Sequence, residues 1–122
     1  MTGEHVKRFG EPTEFGYDKF VPMFKAQKFD ADQWCELFKK AGARFVGPVA
    51  EHHDGYAMWD SDVTPWNAAD TGPKRDITGE IAEAARERGM KLVATLHHAR
   101  NNLWQKPVGD GKTRWSGHYD GA

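Results

Sequence analysis

Arg44-Phe45-Val46-Gly47-Pro48-Val49-Ala50-Glu51-His52-His53-Asp54-Gly55 joins a short apolar run to a polar cluster with paired imidazoles. Residues 44–50 read as a strand buried on both faces, because the apolar positions are consecutive rather than alternating. Pro48 is the objection, since proline removes a ladder hydrogen bond; it is tolerable near a strand end or where pairing is already broken. A second stretch echoes the first: Arg88-Gly89-Met90-Lys91-Leu92-Val93 continues through Ala94-Thr95-Leu96 into His97-His98. Each unit runs from a helix end through glycine and a basic residue into a strand that finishes in His-His.

Working outward, the segment before the first strand carries helix signals. Asp30 is a good N-cap, Gln33 sits at the reciprocal capping-box position, and Phe29 and Trp34 have the spacing of a hydrophobic staple. Trp34, Leu37, Phe38 and Ala41 recur as one helical face. Lys39 and Lys40 suit the negative end of the helix dipole, and Gly42 ends the helix. Cys35 lies inside this helix and reads as a buried structural thiol. Between the strands, Asp76 is a second N-cap. Ile77, Ile81, Ala84 and Ala85 make an apolar stripe, with Glu80, Glu83, Arg86 and Glu87 on the wet face and Gly89 as the stop. A helix between two apolar strands implies a right-handed β-α-β unit with parallel strands. The fold class expected is therefore α/β, a partial (β/α)8 TIM-type barrel containing about two βα units. A complete barrel takes about 250 residues. Residues 1–122 are expected to be part of a single catalytic barrel domain, incomplete at both ends. Residues 1–28 lack a clear period and read as a loop with at most one short helical turn. A long loop reaches Arg75, and residues 99–122 read as loop.

Composition narrows the function classes. The 122 residues carry 17 basic and 18 acidic side chains, interspersed, for a net charge of −1. That balance provides no footprint for nucleic acid and no polybasic membrane patch. No apolar run approaches the roughly 20 residues that span a bilayer. Residues 1–14 lack the apolar core of a secretory signal. The sequence as given reads as soluble, with the compartment left open. A single cysteine excludes an internal disulfide.

Polar residues at the C-terminal ends of parallel strands carry the functional signal, because that face holds the active site in known βα barrels. Glu51, His52, His53 and Asp54 occupy one such end, His97 and His98 the next. Alternation along a strand would turn only one imidazole of each pair toward the barrel axis, which argues against a metal site; no metal and no cofactor are expected. A neutral imidazole offers one donor and one acceptor, which suits the vicinal hydroxyls of a polyol. General acid/base use of one histidine is also open. Trp59 and Trp66 flank the histidines. Either could pack an indole face on a sugar, or simply pin the loop to the barrel rim. Glycoside hydrolysis normally needs two carboxylates. Glu51, Asp54, Asp60 and Asp62 are available, but spacing places none opposite a partner, so no catalytic residue is assigned within the chain. No phosphate loop, Ser-His-Asp arrangement or cysteine nucleophile is evident.

The run from Phe20 to Asn67 resembles the α-L-fucosidase family of glycoside hydrolases. The pieces that carry the resemblance are Phe20-Val21-Pro22-Met23-Phe24-Lys25-Ala26, Lys28-Phe29-Asp30-Ala31-Asp32-Gln33-Trp34, Lys40-Ala41-Gly42-Ala43, and above all His52-His53-Asp54-Gly55-Tyr56 with Trp59-Asp60-Ser61. Gly72-Pro73-Lys74-Arg75-Asp76 and Arg88-Gly89-Met90-Lys91 continue it in order, so it covers about residues 5–100. The resemblance implies a barrel that removes terminal α-L-fucose with retention, acting on a fucosylated glycan or glycoside. It makes His52 and His53 the residues that hydrogen-bond the fucose hydroxyls. It places the family's nucleophile, an Asp on the next strand, beyond Ala122, the acid/base carboxylate further on in most members, and the first-strand His-Trp-Gly before Met1. The isolated chain is thus expected to be inactive and to fold marginally. Many members have tyrosines where this sequence has His97-His98; His98 remains a candidate pocket residue, as does Trp59. The rivals are a non-catalytic sugar-binding module, a metal-dependent barrel hydrolase using the histidines, and a gene fragment with no function of its own.

Overall fold

The structure, a computed structural model, describes residues 2–11 and 14–97. Its framework is α1 (Thr2–Phe9), a 3-10 helix (Tyr17–Met23), α2 (Ala31–Lys40), β1 (Phe45–Val46), β2 (Val49–Glu51), α3 (Ile77–Glu87), β3 (Lys91–Leu92) and β4 (Thr95–Leu96). β1 pairs with β3 and β2 with β4, both in parallel, so α3 connects parallel neighbours as the β-α-β reading requires.

Each predicted strand is interrupted, and Pro48 supplies the reason. The backbone N–H groups of Lys91, Val93, Thr95 and His97 donate to the carbonyls of Arg44, Val46, Pro48 and Glu51 in turn. The return bonds need an N–H at Pro48, which has none, so regular pairing lapses over 47–48 and 93–94. Gly47 belongs to the same feature: a Cβ there would stand 3.1 Å from the Val93 carbonyl oxygen. The register then shifts by one residue between Val49 and Glu51. The expectation of strands buried on both faces fails. Phe45 is 66% exposed and Leu96 55% exposed, because the described residues offer no layer to cover that side of the ladder.

The helix signals are borne out at both starts. Asp30 Oδ1 accepts from the Gln33 N–H at 2.9 Å, and Asp76 Oδ1 accepts from the Gly79 N–H at 2.7 Å. The Phe29–Trp34 staple forms with ring centroids 5.1 Å apart. Both helices stop at glycines with positive φ, Gly42 and Gly89. α3 buries Ile77, Ile81, Ala84 and Ala85 as expected, and Thr78 and Ala82 besides. Burying each isoleucine is worth about 1.5–3 kcal/mol relative to exposure. α2 differs from its predicted face. Ala31 and Cys35 are buried and Phe38 half-buried, while Trp34, Leu37 and Ala41 are exposed. Cys35 has no exposed surface, and burial pushes its thiol pKa up, so the structural reading of that residue holds. Arg88 clamps the two helices together through Asp32 at 2.9 Å and Glu36 at 3.2 Å.

Residues 1–28 are more ordered than their sequence suggests. α1 and the 3-10 helix enclose a cluster of His5, Phe9, Phe15 and Phe20, with ring centroids 4.9–6.3 Å apart. His5 Nε2 pairs with the Phe15 carbonyl at 2.9 Å. α1 offers too short an apolar face to register as a period; contacts from 15 and 20 complete it. Pro22 sits inside the 3-10 helix. Residues 99–122 and His98 lie outside the described residues. No helix among the described residues is long and apolar enough to cross a membrane.

Candidate functional site

β2 ends at Glu51, and the chain turns at once. The Gly55 N–H donates to the His52 carbonyl at 3.0 Å, closing a turn over His52-His53-Asp54-Gly55. The Tyr56 N–H donates to Asp54 Oδ1 at 3.1 Å, so Asp54 serves the turn. This turn removes the strand alternation on which the metal argument rested. His52 and His53 do not point to opposite faces: their ring centroids are 4.6 Å apart, and both meet His97 from the end of β4. His97 stacks on His52 at 4.1 Å and stands edge-on to His53 at 5.0 Å. One nitrogen of each ring lies within 4.8 Å of the others.

Neighbouring strands of the parallel ladder bring this trio together. The His97 N–H donates to the Glu51 carbonyl at 3.2 Å, which fixes His97 beside the turn. Burial lowers the pKa of His97, and the nearby His52 and His53 lower it further, against an opposing pull from the Glu51 carboxylate. These surroundings favour the neutral form of His97 over the charged one. Glu51 is itself buried.

A cleft of about 320 Å³ opens beside His52, walled by Phe24, Val49, Tyr56 and Met58 with Asp54 at its polar side. Of the sequence candidates, His52 and His53 are brought together. Trp59 is half-buried on the following loop and does not line this cleft. Trp66 is buried edge-on to Tyr56 at 5.4 Å and is part of the core, which agrees with the loop-pinning reading. Asp60 and Asp62 are exposed. His97, Tyr56 and Met58 are the residues the sequence left unassigned. For His97 the signal was present in the repeated strand-His-His pattern, and for Tyr56 in the His-His-Asp-Gly-Tyr motif; for Met58 nothing in the sequence marks it out.

The loop from 56 to 75 is held by Asn67, which is fully buried. Its Nδ2 donates to the Thr64 carbonyl at 2.8 Å and to Asp70 Oδ2 at 2.7 Å. Its Oδ1 accepts from the N–H groups of Ala69 and Asp70 at 2.9 and 2.8 Å. Arg75 closes the loop by pairing with Glu80 and donating to the Phe29 carbonyl at 3.0 Å. The Thr78 N–H donates to the Met58 carbonyl at 2.8 Å, which ties that wall of the cleft to α3.

Comparison with known proteins gives a consistent result. The sequence model of the alpha-L-fucosidase family matches residues 1–120. Tissue alpha-L-fucosidase of Bos taurus is 44% identical over 89 residues, covering 72% of this chain and 19% of the relative. Alpha-L-fucosidase of Dictyostelium discoideum is 37% identical over 111 residues, covering 88% of this chain and 24% of the relative. Among solved structures, Thermotoga maritima alpha-fucosidase in complex with fucose superposes with a TM-score of 0.72 at 44% identity, over 76% of this chain and 22% of that one. The chain therefore spans about a fifth to a quarter of the length of these relatives.

Proposed function

We propose that this chain, which belongs to the α-L-fucosidase family of glycoside hydrolases, contributes one wall of the fucose pocket in a retaining (β/α)8-barrel enzyme that acts on fucosylated glycans or glycosides. The convergence of His52, His53 and His97 at the ends of two parallel strands carries this reading. His52 lines the cleft with His53 and His97 packed beside it, and a neutral imidazole offers one donor and one acceptor, which suits adjacent sugar hydroxyls. Phe24, Val49 and Met58 add an apolar wall that suits the methyl group of a 6-deoxy sugar. The solved relative bound to fucose supports the same ligand class.

Retention requires a pair of carboxylates about 5 Å apart across the scissile bond. Asp54 is committed to its turn and Asp60 and Asp62 are exposed, so this part of the barrel binds and orients the sugar while the chemistry falls to other strands. Trp59 and His98 remain proposed pocket residues of the wider site.

Saturation-transfer NMR of the 122-residue chain with L-fucose tests the reading. Transfer to the sugar protons should be strongest at the methyl group and should vanish in His52→Ala and His53→Ala. Transfer that survives both substitutions would remove the histidines from the pocket. The chain alone should leave 4-nitrophenyl α-L-fucoside intact. Hydrolysis would place a catalytic pair inside it and overturn the division of labour.

A further inference from the structure

We propose that the unpaired edge of β1 and β2, with the groove beside it, is the seat of a further parallel β-strand, supplied by a segment N-terminal to these residues in a longer barrel chain. Both sheets are two-stranded among the described residues, so each strand has one open edge. The carbonyls of Arg44, Val46 and Pro48 accept from the N–H groups of Lys91, Val93 and Thr95, so the backbone groups of Phe45, Gly47 and Val49 point to the opposite edge. The donor missing at Pro48 therefore belongs to the edge already paired, and the open edge keeps an N–H at each of its positions. Edge strands are commonly guarded by charged side chains or proline, and residues 45, 47 and 49 carry neither. Phe45 is 66% and Val49 50% exposed. Above Val49 the edge closes, because the Ala50 carbonyl accepts from the Met58 N–H at 2.8 Å. Beside the edge lies a groove of about 690 Å³ whose walls include Trp34, Val49, Met58, Ile77 and Ile81 and no residue of β3 or β4. Thr78 lines it too, and its buried hydroxyl has no partner among the described residues. An extended segment meets these needs together: backbone groups for the edge, apolar side chains for the groove and a polar atom for Thr78.

Handedness identifies the strand. α3 carries the chain from β1 and β2 to β3 and β4, and α2 packs beside α3. Right-handed crossovers over one face step across a sheet in one direction. A strand joined to β1 through α2 therefore falls on the side away from β3, at the open edge. No strand precedes α2 among the described residues, and the chain spans about a fifth to a quarter of the length of its relatives, which leaves room for one in a longer chain. A second copy fits the edge less well. Lys25 and Lys28 line the groove and Arg44 starts the edge, so two copies meeting there would crowd like charges. The seat rests on this geometry; the identity of its occupant rests on the barrel reading above.

Amide hydrogen exchange tests this in two proteins: the full 122-residue chain, and Thermotoga maritima alpha-fucosidase carrying residues 1–97 of this chain in place of its matching segment. In the isolated chain the amides of Val93 and Thr95 should exchange at least about a hundredfold more slowly than those of Phe45, Gly47 and Val49, at every protein concentration. In the chimera all five should be slow, and Trp34 emission should shift to the blue as the groove fills. Phe45→Lys in the isolated chain should leave the urea midpoint where it is, a check that does not depend on the chimera folding. Slow exchange at 45, 47 and 49 in the dilute isolated chain, or a midpoint lowered by Phe45→Lys, would mean that its own residues cover the edge. Protection that grows with concentration would make a second copy the occupant. A folded chimera in which the three amides stay fast would leave the edge without a strand. Each of these results overturns the proposal. A chimera that protects the edge and fails to bind L-fucose would keep the seat and count against the sugar pocket.

Discussion

α2 and α3 start alike and end up differently. Each has an aspartate N-cap, a clear apolar face and a glycine stop, yet α3 buries a full stripe while α2 leaves Leu37 64% exposed. The difference is one of position. α3 connects the paired strands and packs on α2 and β3, with Ile77 and Ile81 in the core alongside Met90. α2 leads into the first strand and, among the described residues, packs mainly on α3, so Ala31 and Cys35 are buried while Trp34 and Leu37 are exposed. An apolar face states what a helix can bury; its neighbours decide what it does bury.

The contrast can be broken most sharply by truncating one residue from each face. Ile81→Ala should cost about 2–5 kcal/mol of unfolding free energy, since it opens a cavity in the core. Leu37→Ala should stay within about 0.5 kcal/mol, as for other exposed positions. Equal losses in urea titrations would mean that α2 is covered in solution. Asn67→Ala comes next, at about 1–3 kcal/mol, because several buried backbone groups lose their partner together; differential scanning calorimetry should show it. The caps should erase the contrast. Asp76→Ala and Asp30→Ala should each cost about 1 kcal/mol, because capping is local and indifferent to what the helix packs on. A much smaller loss at Asp30 would extend the asymmetry to the helix ends.

The smallest effect concerns pH. The folded state lowers the pKa of His97, so between its folded and unfolded values the unfolded chain binds more protons. Stability from this group is complete above the ordinary histidine value of about 6.5 and declines as pH falls toward and through the folded pKa. His97→Gln should flatten that acid limb of the melting-temperature profile. An unchanged limb would mean that the crowded trio carries no cost of protonation.

Much of this molecule was legible because its signals are local. Asp30, Asp76, Gly42 and Gly89 act on the backbone within a turn of themselves, so their reading survives any tertiary context. The parallel pairing followed from the helix that separates the two strands. The N-terminal helix was not legible, since α1 has a short apolar face and is completed by Phe15 and Phe20 from outside it. The broken strands were half legible: Pro48 announced a missing donor, but not that its partner strand would lapse opposite it.

The site divides along the same line. By itself the sequence determined that two strands end in paired histidines, that these ends share one edge of a parallel ladder, and which family the chain belongs to. Only the tertiary structure decided that His97 joins His52 and His53, that Trp66 goes to the core, and that Tyr56 and Met58 wall the cleft. Side-chain direction follows the backbone, and at residues 52–55 the backbone leaves the strand for a turn. Strand periodicity no longer applies there, and the meeting of rings from residues 52, 53 and 97 depends on a register set by hydrogen bonds across two strands.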